Sequence, residues 1–342
     1  MAIDEIYIKR CLELASISEG LTSPNPLVGA VIEYDGKIIA EGKHAFYGAP
    51  HAEPDAISKV KNVELLKKCT LYVNLEPCCH HGKTPPCTEK IIASGIPRVV
   101  VAAKDTSEKV NGRGIEILRS AGIDVKVCVL EKEARHLNRF FYTYHEKKRP
   151  HIILKWAQTL DGFIDSDRQT GDIPPARISN SLTQILDHRW RSACQAVMVG
   201  KNTVIMDNPN LTVRRWYGKN PLRITIDRNG ELDSELYNFF NSQAKSLIFS
   251  PKTGYGKNAE TSKFTALEDI VAELYRRRIQ SLTVEGGTKL IESFIACQLW
   301  DEAKIFKGNL NLGKGVKAPV ICGKTVSEES LGSDTVISIE NY

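Results

Sequence analysis

The sequence contains His51-Ala52-Glu53 and, further along, Pro77-Cys78-Cys79-His80-His81-Gly82-Lys83-Thr84-Pro85-Pro86-Cys87, and these two stretches decide how the chain is interpreted. One imidazole, from His51, and two thiolates, from Cys78 and Cys87, provide a tetrahedral zinc ion with three protein ligands. The fourth position is then free for water, which is typical of a catalytic zinc site and not of a closed structural one. We therefore predict one Zn²⁺ ion per chain, bound by His51, Cys78 and Cys87.

Glu53 follows the predicted ligand His51 by two positions. In zinc nucleobase deaminases an HxE motif is followed by PCxxC, and the glutamate stays off the metal and transfers protons. This chain has the HxE half, but eight residues rather than two separate Cys78 from Cys87. A bound zinc ion lowers the pKa of its water ligand, and hydrolysis then needs a carboxylate to move protons. We predict that Glu53 is that catalytic residue.

Chance must also be considered, because the chain has nine cysteines and eight histidines. A free cysteine among apolar residues usually behaves as a small buried hydrophobe. We expect this of Cys11, Cys69, Cys128, Cys194, Cys297 and Cys322. Cys78 and Cys87 lie among proline, glycine and polar residues, which favours a metal role over packing. Cys79 is excluded from the ligand set because adjacent thiols rarely bind one ion.

Length and composition limit the remaining possibilities. With 342 residues and 42% hydrophobic content, the chain can form two domains with separate cores. The net charge of +5 is spread along the chain, which favours a small phosphorylated partner over nucleic acid. No stretch has the pattern of a signal peptide or the length of a membrane span. The odd number of cysteines fits a reducing compartment, so we expect a cytoplasmic protein without a membrane partner.

Apolar periodicity predicts a layered α/β first domain over residues 1–146. The pattern indicates a helix over 4–20 and a hairpin of strands 28–33 and 37–40, joined through Asp35-Gly36. Helices and strands then alternate, which is typical of a layered α/β domain: helices over 53–60 and 88–94, strands over 70–75 and 98–103. Both metal-binding stretches would thus open a helix, where the helix dipole favours a thiolate over a thiol.

A polar segment, 145–150, follows the aromatic helical segment 137–144, and we place the domain linker there. A second α/β domain is predicted over 150–342, with a helix over 182–193 and strands over 151–157, 196–200, 222–227, 246–249, 281–285 and 303–306. No GxGxxG motif opens it, so the usual dinucleotide fingerprint is missing. Gly286-Gly287 follows a strand and opens a helix, where bare N–H groups could meet a pyrophosphate. Two glycines after a strand more often form a tight turn, so this signal is weak without the flanking motifs.

The PCxHxGxTPPC segment resembles the pyrimidine deaminase of riboflavin biosynthesis, whereas deaminases of transfer RNA or cytidine carry the short CxxC. Pro24-Asn25-Pro26-Leu27-Val28-Gly29 and Gly42-Lys43-His44 extend this resemblance. It implies a cytidine-deaminase-like fold for the first domain. It also implies substrate-binding roles for Asn25, His44, His80 and Lys83.

The second domain resembles the reductase of the same pathway, a family similar in fold to dihydrofolate reductase that uses NADPH. The resemblance lies in four segments: Lys155-Trp156-Ala157-Gln158-Thr159-Leu160-Asp161-Gly162, Gly200-Lys201-Asn202-Thr203, Asp207-Asn208-Pro209-Asn210-Leu211-Thr212-Val213-Arg214 and Val284-Glu285-Gly286-Gly287. It implies substrate-binding roles for Lys155, Ser179, Arg191, Asp207, Leu211, Arg214 and Glu285. It implies cofactor-binding roles for Ala157, Thr203, Gly286 and Gly287.

Together the two resemblances cover the whole chain and identify the bifunctional deaminase/reductase family of riboflavin biosynthesis. They imply deamination of 2,5-diamino-6-(5-phosphoribosylamino)pyrimidin-4(3H)-one, followed by reduction of its ribosyl group to give 5-amino-6-(5-phosphoribitylamino)uracil. Family members are usually homo-oligomers, either dimers or tetramers.

Two segments depart from the family pattern. Asp105-Thr106-Ser107-Glu108 stands where the family has DPNP, and Arg177-Ile178-Ser179 stands where it has WIT or WIS. The second change leaves open a deaminase whose reductase-like domain is inactive or structural. A nucleic-acid base editor would need a basic stripe with exposed aromatic residues, and a protein that only binds its ligand would contain no stoichiometric zinc.

Overall fold

The computed structural model describes residues 2–82 and 85–342. The chain divides into two compact units, one that ends at Lys148 and one that spans Arg149–Tyr342. Among the described residues, no helix is both long enough and apolar enough to cross a lipid bilayer.

The first unit is an α/β layer structure built on a five-stranded sheet. Its elements in chain order are α1 (Ile3–Ser16), β1 (Gly29–Tyr34), β2 (Lys37–Lys43), α2 (Ala52–Ser58), a 3₁₀ helix (Val63–Lys68), β3 (Thr70–Leu75), α3 (Cys87–Ser94), β4 (Arg98–Ala103), α4 (Arg113–Ser120), β5 (Asp124–Lys126), α5 (Glu131–Leu137) and α6 (Arg139–Lys147). The strand order is β2-β1-β3-β4-β5. Strand β1 is antiparallel to both neighbours, whereas β3, β4 and β5 are parallel.

Alternating apolar residues on these strands bury both faces of the sheet. Leu71 and Val73 of β3 join a cluster with residues of α2, α3 and α4, whereas Tyr72 between them joins α1, α5 and α6. The β1–β2 hairpin turns through Asp35 and Gly36, whose φ angles are 51° and 76°. Positive φ at both central residues is the requirement of a type I′ turn, so the predicted hairpin is confirmed.

The second unit contains a nine-stranded sheet. Its elements are β6 (His151–Gln158), β7 (Phe163–Asp165), α7 (Ser181–Ala193), β8 (Ala196–Gly200), α8 (Lys201–Asp207), β9 (Leu222–Ile226), a 3₁₀ helix (Asn238–Phe240), β10 (Ser246–Phe249), β11 (Ala259–Ser262), α9 (Leu267–Arg276), β12 (Ser281–Glu285), α10 (Thr288–Ala296), β13 (Glu302–Lys307), β14 (Val316–Lys317), β15 (Lys324–Leu331) and β16 (Asp334–Glu340). The strand order is β11-β10-β9-β8-β12-β6-β13-β16-β15, and β14 pairs with β7 separately. The seven strands from β11 to β13 in this spatial order are parallel to one another. Strand β16 is antiparallel to both of its neighbours, β13 and β15.

The two central strands of this sheet carry apolar residues on one face and charges on the other. Leu154 of β6 and Val284 of β12 join the apolar cluster that includes residues of α9 and α10. The next residue of each strand, Lys155 and Glu285, points to the opposite face, because successive side chains alternate along a strand. There both meet α7. The fold thus places a charged pair at the sheet centre.

The structure confirms most of the predicted elements and corrects several boundaries. The strands predicted over 70–75, 98–103, 196–200, 246–249 and 281–285 have these exact limits. The first helix ends at Ser16 rather than at residue 20. Helix α6 continues to Lys147 through the segment predicted as linker, because no helix-breaking residue occurs before Pro150, which disfavours helical geometry only at the residue preceding it. The exposed, polar strand β15 was not predicted.

The predicted burial of six cysteines is right for half of them. Cys11, Cys69 and Cys194 are buried, as expected, but Cys128, Cys297 and Cys322 are exposed. Cys297 caps the C-terminus of α10, and Cys128 has a φ of 63° in a loop. Position at the end of an element does not decide the burial, because Cys194 also caps a helix, α7, and is buried.

Candidate active sites

Three metal-ligating side chains meet in the first unit, at the starts of two helices. His51 caps α2, Cys87 is the first residue of α3, and Cys78 lies in the segment after β3. Their donor atoms lie within 4.8 Å of one another, with His51 Nδ1 3.3 Å from Cys87 Sγ and 3.5 Å from Cys78 Sγ. Tetrahedral Zn–N and Zn–S bonds hold such donors about 3.5 Å apart. The donor set therefore fits zinc.

The environment of the two thiols favours a thiolate. The Cys87 backbone N–H donates to Cys78 Sγ at 3.3 Å, as expected at a helix N-terminus. The Cys87 thiol and His51 also donate to Cys78, and these contacts lower the pKa of Cys78 to about 4. The hydrogen bond that the Cys87 thiol donates to Cys78, together with burial, raises the pKa of Cys87. These contacts favour the thiolate form of Cys78, the form that ligates a metal.

Two glycines allow the supporting segments to lie close to these ligands. A Cβ atom at Gly42 of β2 would lie 2.1 Å from the carbonyl oxygen of Ala52, the residue after His51. A Cβ atom at Gly114 would lie 2.2 Å from the carbonyl oxygen of Pro77, the residue before Cys78. Neither backbone contact leaves room for a side chain.

Glu53 lies beside the three donor residues. Among the described residues, the donor cluster consists of His51, Cys78 and Cys87 and does not include Glu53. Its side chain is only 3% exposed and is within hydrogen-bonding reach of the Cys87 thiol. Burial, and then the charge of Cys78, raise the pKa of Glu53 to about 7. A buried carboxyl with a pKa near neutrality can both accept and return a proton.

Asn25 and His44 lie against the metal-ligating histidine. The His44 ring meets the His51 ring edge to face, with centroids 5.4 Å apart. His44 Nδ1 is 3.0 Å from the Pro50 carbonyl oxygen and therefore carries the proton, which leaves Nε2 to accept from Asn25 Nδ2 at 3.1 Å. Burial lowers the pKa of His44 and keeps the ring neutral.

Two asparagines that sequence reasoning missed hold the segment that follows Asn25. Asn138 accepts from the Leu27 N–H at 2.8 Å, and Asn74 accepts from the Gly29 N–H at 2.7 Å. Both amides also donate to the Leu27 carbonyl oxygen. Asn74 is a polar residue inside an otherwise apolar strand, and this was the available sequence signal.

Glu76 is a third missed residue, and it fixes the loop that departs from the family pattern. Its carboxylate accepts backbone N–H groups at 2.9 to 3.3 Å from Asp105, Gly112, Gly114 and Ile115. Glu76 therefore ties this loop to the segment that carries Cys78. Asp105, at the start of the loop, is buried, and burial raises its pKa to about 6.

The remaining predicted residues of the first site lie after Cys78. His80 Nδ1 is buried and has no hydrogen-bond partner among the described residues. Lys83 lies outside the residues that the structure describes. The predicted role of each stays a prediction.

In the second unit, Lys155, Arg191 and Glu285 meet in one buried charge cluster. Lys155 and Glu285 are neighbours on paired strands, with Lys155 Nζ 3.0 Å from Glu285 Oε1. Arg191 of α7 donates to both Glu285 oxygens, from Nε at 3.2 Å and from Nη2 at 2.7 Å. Asp187, one helical turn before Arg191, contacts both cations. Asp187 was not predicted from the sequence.

Arg214 reaches this cluster through Thr212. The Thr212 carbonyl oxygen accepts from Arg191 Nη1 at 3.3 Å, and Thr212 Oγ1 accepts from Arg214 Nη1 at 3.0 Å. The Arg214 backbone N–H donates to His188 Nδ1 at 3.0 Å. Burial, and then Arg191, lower the pKa of His188 to about 4, so the ring is neutral and can accept.

Leu211 differs from the other predicted substrate residues. Its side chain is 5% exposed and lies in an apolar cluster with Val197 and Val199. Its φ of 53° is unusual for a residue other than glycine. Only its backbone is available to a substrate.

Thr203, Gly286 and Gly287 lie together where β12 ends and α10 begins. Gly286 and Gly287 have φ angles of 71° and 57°, and a Cβ atom at Gly286 would lie 3.3 Å from Thr203 Cγ2. The predicted placement of these glycines between a strand and a helix is confirmed.

The other predicted residues of the second site have neighbours outside the charge cluster. Asp207, at the end of α8, pairs with Arg168. Ala157 pairs with Phe306 of β13. Ser179 follows Ile178, whose carbonyl oxygen would be 2.2 Å from a Cβ atom at Gly308, just after β13. Within the described part of the chain, no side-chain hydrogen bond or ion pair joins these three residues to Lys155 or Arg191.

The geometry defines a class: a zinc-binding deaminase unit joined to a second α/β unit with a charged cluster. Comparisons with known proteins agree. Residues 1–103 match the family model for the cytidine and deoxycytidylate deaminase zinc-binding region, and residues 150–336 match the model for the RibD C-terminal domain.

Relatives match along the whole chain. The riboflavin biosynthesis protein RibD of Aquifex aeolicus is 38% identical, over 99% of this chain and 99% of that protein. The protein of the same name from Synechocystis is 38% identical, over 95% of this chain and 89% of its own length. A crystal structure of a diaminohydroxyphosphoribosylaminopyrimidine deaminase/5-amino-6-(5-phosphoribosylamino)uracil reductase from Thermotoga maritima has a TM-score of 0.91 at 38% identity, over 99% of both chains.

The chain belongs to the RibD family of bifunctional riboflavin biosynthesis enzymes. The family and the two-unit α/β fold predicted from the sequence are thereby confirmed, with a cytidine-deaminase-like first unit. Both a zinc-binding deaminase region and a reductase region are present.

Proposed function

We propose that this chain deaminates 2,5-diamino-6-(5-phosphoribosylamino)pyrimidin-4(3H)-one and then uses NADPH to reduce the ribosyl group, giving 5-amino-6-(5-phosphoribitylamino)uracil. The deaminase occupies residues 1–146 and the reductase residues 150–342. The observation that carries the proposal is the buried carboxyl of Glu53 beside the donors of His51, Cys78 and Cys87. Nothing in a structural role requires a carboxyl of raised pKa in that position.

The first reaction replaces the ring amino group with oxygen and releases ammonia. A zinc ion, when bound, supplies a Lewis acid that makes water acidic. Glu53 takes a proton from the attacking water and gives it to the ring nitrogen. It then takes the second proton from the added hydroxyl group and gives it to the amino group, which leaves as ammonia while the carbonyl forms. Its burial supports this cycle, because a carboxyl with a pKa near neutrality holds and releases the proton at small cost.

Substrate binding in the first site is assigned to Asn25, His44, His80 and Lys83. Asn25 and His44 are supported by their contact with each other and with the His51 ring. His80 Nδ1 is buried and has no hydrogen-bond partner among the described residues, which supports a polar ligand, because buried polar atoms are normally hydrogen-bonded. The Lys83 assignment rests on the sequence motif alone.

The second reaction requires a carbonyl of the opened ribose to be held beside the cofactor. NADPH, when bound, supplies the hydride. Thr203, Gly286 and Gly287 are assigned to the cofactor, with Ala157, because the glycine backbone offers N–H groups at a helix start. Lys155, Ser179, Arg191, Asp207, Leu211, Arg214 and Glu285 are assigned to the substrate.

Arg214 is the best available cation for the substrate phosphate. Its guanidinium donates to Thr212 and forms no ion pair within the described part of the chain. Arg191, in contrast, already contacts two carboxylates. A phosphate therefore gains more from Arg214, because it does not compete there with a carboxylate.

The alternative, an inactive second unit, is not favoured. The family model of the RibD C-terminal domain matches residues 150–336. Arg177 departs from the family motif, but Lys155, Arg191 and Glu285 still meet in the charged cluster. We further propose a cytoplasmic homo-oligomer, a dimer or a tetramer, that does not bind nucleic acid. Sedimentation analysis tests the assembly, and a monomer at working concentration would contradict it.

The experiment is to supply the diaminopyrimidinone substrate with NADPH and to follow ammonia release and NADPH oxidation in one reaction. We expect ammonia release first and NADPH oxidation after it. Ammonia without NADPH oxidation would support the deaminase-only alternative. The absence of both signals would contradict the proposed substrate. A matched sample of the Glu53→Gln variant should release no ammonia from the diaminopyrimidinone substrate, but should still oxidise NADPH when it is supplied with the deaminated intermediate.

A further inference from the structure

Asp187 is a charged residue inside the second site that neither motif nor family resemblance pointed to. It lies in the middle of α7, and its side chain is 18% exposed. Burial alone would raise the pKa of Asp187, but Lys155 and Arg191 lower it, so the group is an anion. A buried anion normally contacts the cations that stabilise it.

The cluster contains two cations and two anions, and each cation contacts both anions. Lys155 Nζ contacts Asp187 Oδ1 and lies 3.0 Å from Glu285 Oε1. Arg191 Nη2 lies 2.9 Å from Asp187 Oδ2 and 2.7 Å from Glu285 Oε2. Without Asp187, two neighbouring cations would share a single carboxylate.

The two cations depend on Asp187 to different degrees. Arg191 is held at three other points, by two bonds to Glu285 and one to the Thr212 carbonyl oxygen. Lys155 contacts one other anion within the described residues, Glu285, which Arg191 also occupies. Loss of Asp187 should therefore move the Lys155 ammonium more than the Arg191 guanidinium.

We propose that Asp187 is a positioning residue of the reductase site, which directs the Lys155 ammonium toward the phosphorylated pyrimidine substrate. This inference rests on the proposed function, in which Lys155 contacts that substrate. Asp187 itself does not contact the substrate or the cofactor; it acts through Lys155. The cofactor group of Thr203, Gly286 and Gly287 lies outside the contacts of Asp187.

The test compares wild type with Asp187→Asn and Asp187→Glu, using the deaminated phosphoribosylaminouracil and NADPH. We expect Asp187→Asn to raise the KM for this substrate about tenfold, because a buried charge contact is lost. NADPH affinity, measured by fluorescence, and ammonia release in the same chain should stay at wild-type values. Asp187→Glu keeps the charge and should give a smaller rise in KM.

A double-mutant cycle separates positioning from a general structural role. In a Lys155→Met background, adding Asp187→Asn should change KM by less than about twofold. Glu292→Gln, an exposed carboxylate on α10, is the control for charge loss and should match wild type.

Three results would overturn the assignment. The first is an unchanged KM in Asp187→Asn, and the second is a rise in KM from Asp187→Asn that is as large in the Lys155→Met background as in wild type. The third is a loss of NADPH affinity as large as the loss of substrate affinity. If Asp187→Asn does not fold, Asp187→Ser replaces it, and an unchanged KM in that variant overturns the assignment. If the wild-type chain does not reduce the deaminated substrate, the proposed function is overturned as well. If the wild type is active and one of the three results above is found, only the assignment of Asp187 as a positioning residue is overturned.

Discussion

The two units of this chain build their sites in different ways. In the first unit, His51 and Cys87 lie 36 positions apart and use residue types that ligate metals. In the second unit, Arg191 and Glu285 lie 94 positions apart and use residue types that are common on any surface. The comparison teaches that a metal site can be recognised from short motifs, whereas a charge cluster exists only through the strand order that brings its members together.

The largest expected effect concerns Glu53. Replacing Glu53 by glutamine removes the proton-transferring carboxyl and should lower the deamination rate by about 10²–10⁴-fold. The zinc content and the reductase rate with deaminated substrate should not change, because the donor cluster does not include Glu53. Ammonia release, metal analysis and NADPH oxidation measure the three quantities. A parallel fall in the reductase rate would contradict the view that the two units have independent sites.

A smaller effect is expected for Glu76, which supports the first site through backbone contacts. Glu76→Gln replaces one of the two acceptor oxygens by an NH₂ donor. Two of the four N–H groups of the 105–115 loop then lose their acceptor, and the free energy of unfolding should fall by about 1–3 kcal/mol. Denaturant unfolding measures the loss, and hydrogen exchange of the loop locates it.

Glu116→Gln is the matched control for Glu76→Gln, because Glu116 is exposed on α4 nearby. The control should have wild-type stability. Equal stability of the two variants would show that the Glu76 contacts contribute nothing, and the first site would then depend on its motifs alone.

The difference between the two units also explains what could be predicted from the sequence. The three residues of the donor cluster could be singled out because histidine and cysteine at that spacing have few other uses, and Glu53 stays a proposal from the same motif. Strand limits such as 196–200 were exact because continuous apolar runs bounded by polar residues are characteristic of buried parallel strands. Substrate and cofactor residues of the second unit came only from the family resemblance.

What the sequence could not predict depends on contacts between distant segments. Glu76, Asn138 and Asp187 are ordinary polar residues until the fold places a backbone loop or a lysine beside them. Strand β15 is exposed along most of its length, so it lacks the alternation that identifies a strand. The burial of the Leu211 side chain was likewise hidden, because its motif suggested only a role in binding.

The smallest effect concerns Asp4, a buried carboxylate far from both motifs. Burial alone would raise its pKa, but hydrogen bonds from Lys126, Arg98 and Tyr72 lower the pKa below the ordinary value of 3.8. Its stabilising contribution is therefore complete above that ordinary value and disappears as the pH falls through the lowered pKa. Because both cations are partly exposed, Asp4→Asn should cost about 1 kcal/mol near neutral pH.

Urea unfolding of wild type and Asp4→Asn at neutral and at acid pH measures this contribution. The difference between the two proteins should shrink as the pH falls. Glu133→Gln, an exposed carboxylate on α5, should show no such difference at any pH. A gap that stays constant or widens at acid pH would contradict the assignment of these contacts to Asp4.

The most direct test of two separate sites is removal of the metal. We predict that freshly purified protein contains one zinc ion per chain, and that chelation abolishes ammonia release while NADPH oxidation with the deaminated substrate continues. Restoring zinc should restore ammonia release. Deamination that survives complete zinc removal, or reduction that is lost with it, would contradict the account.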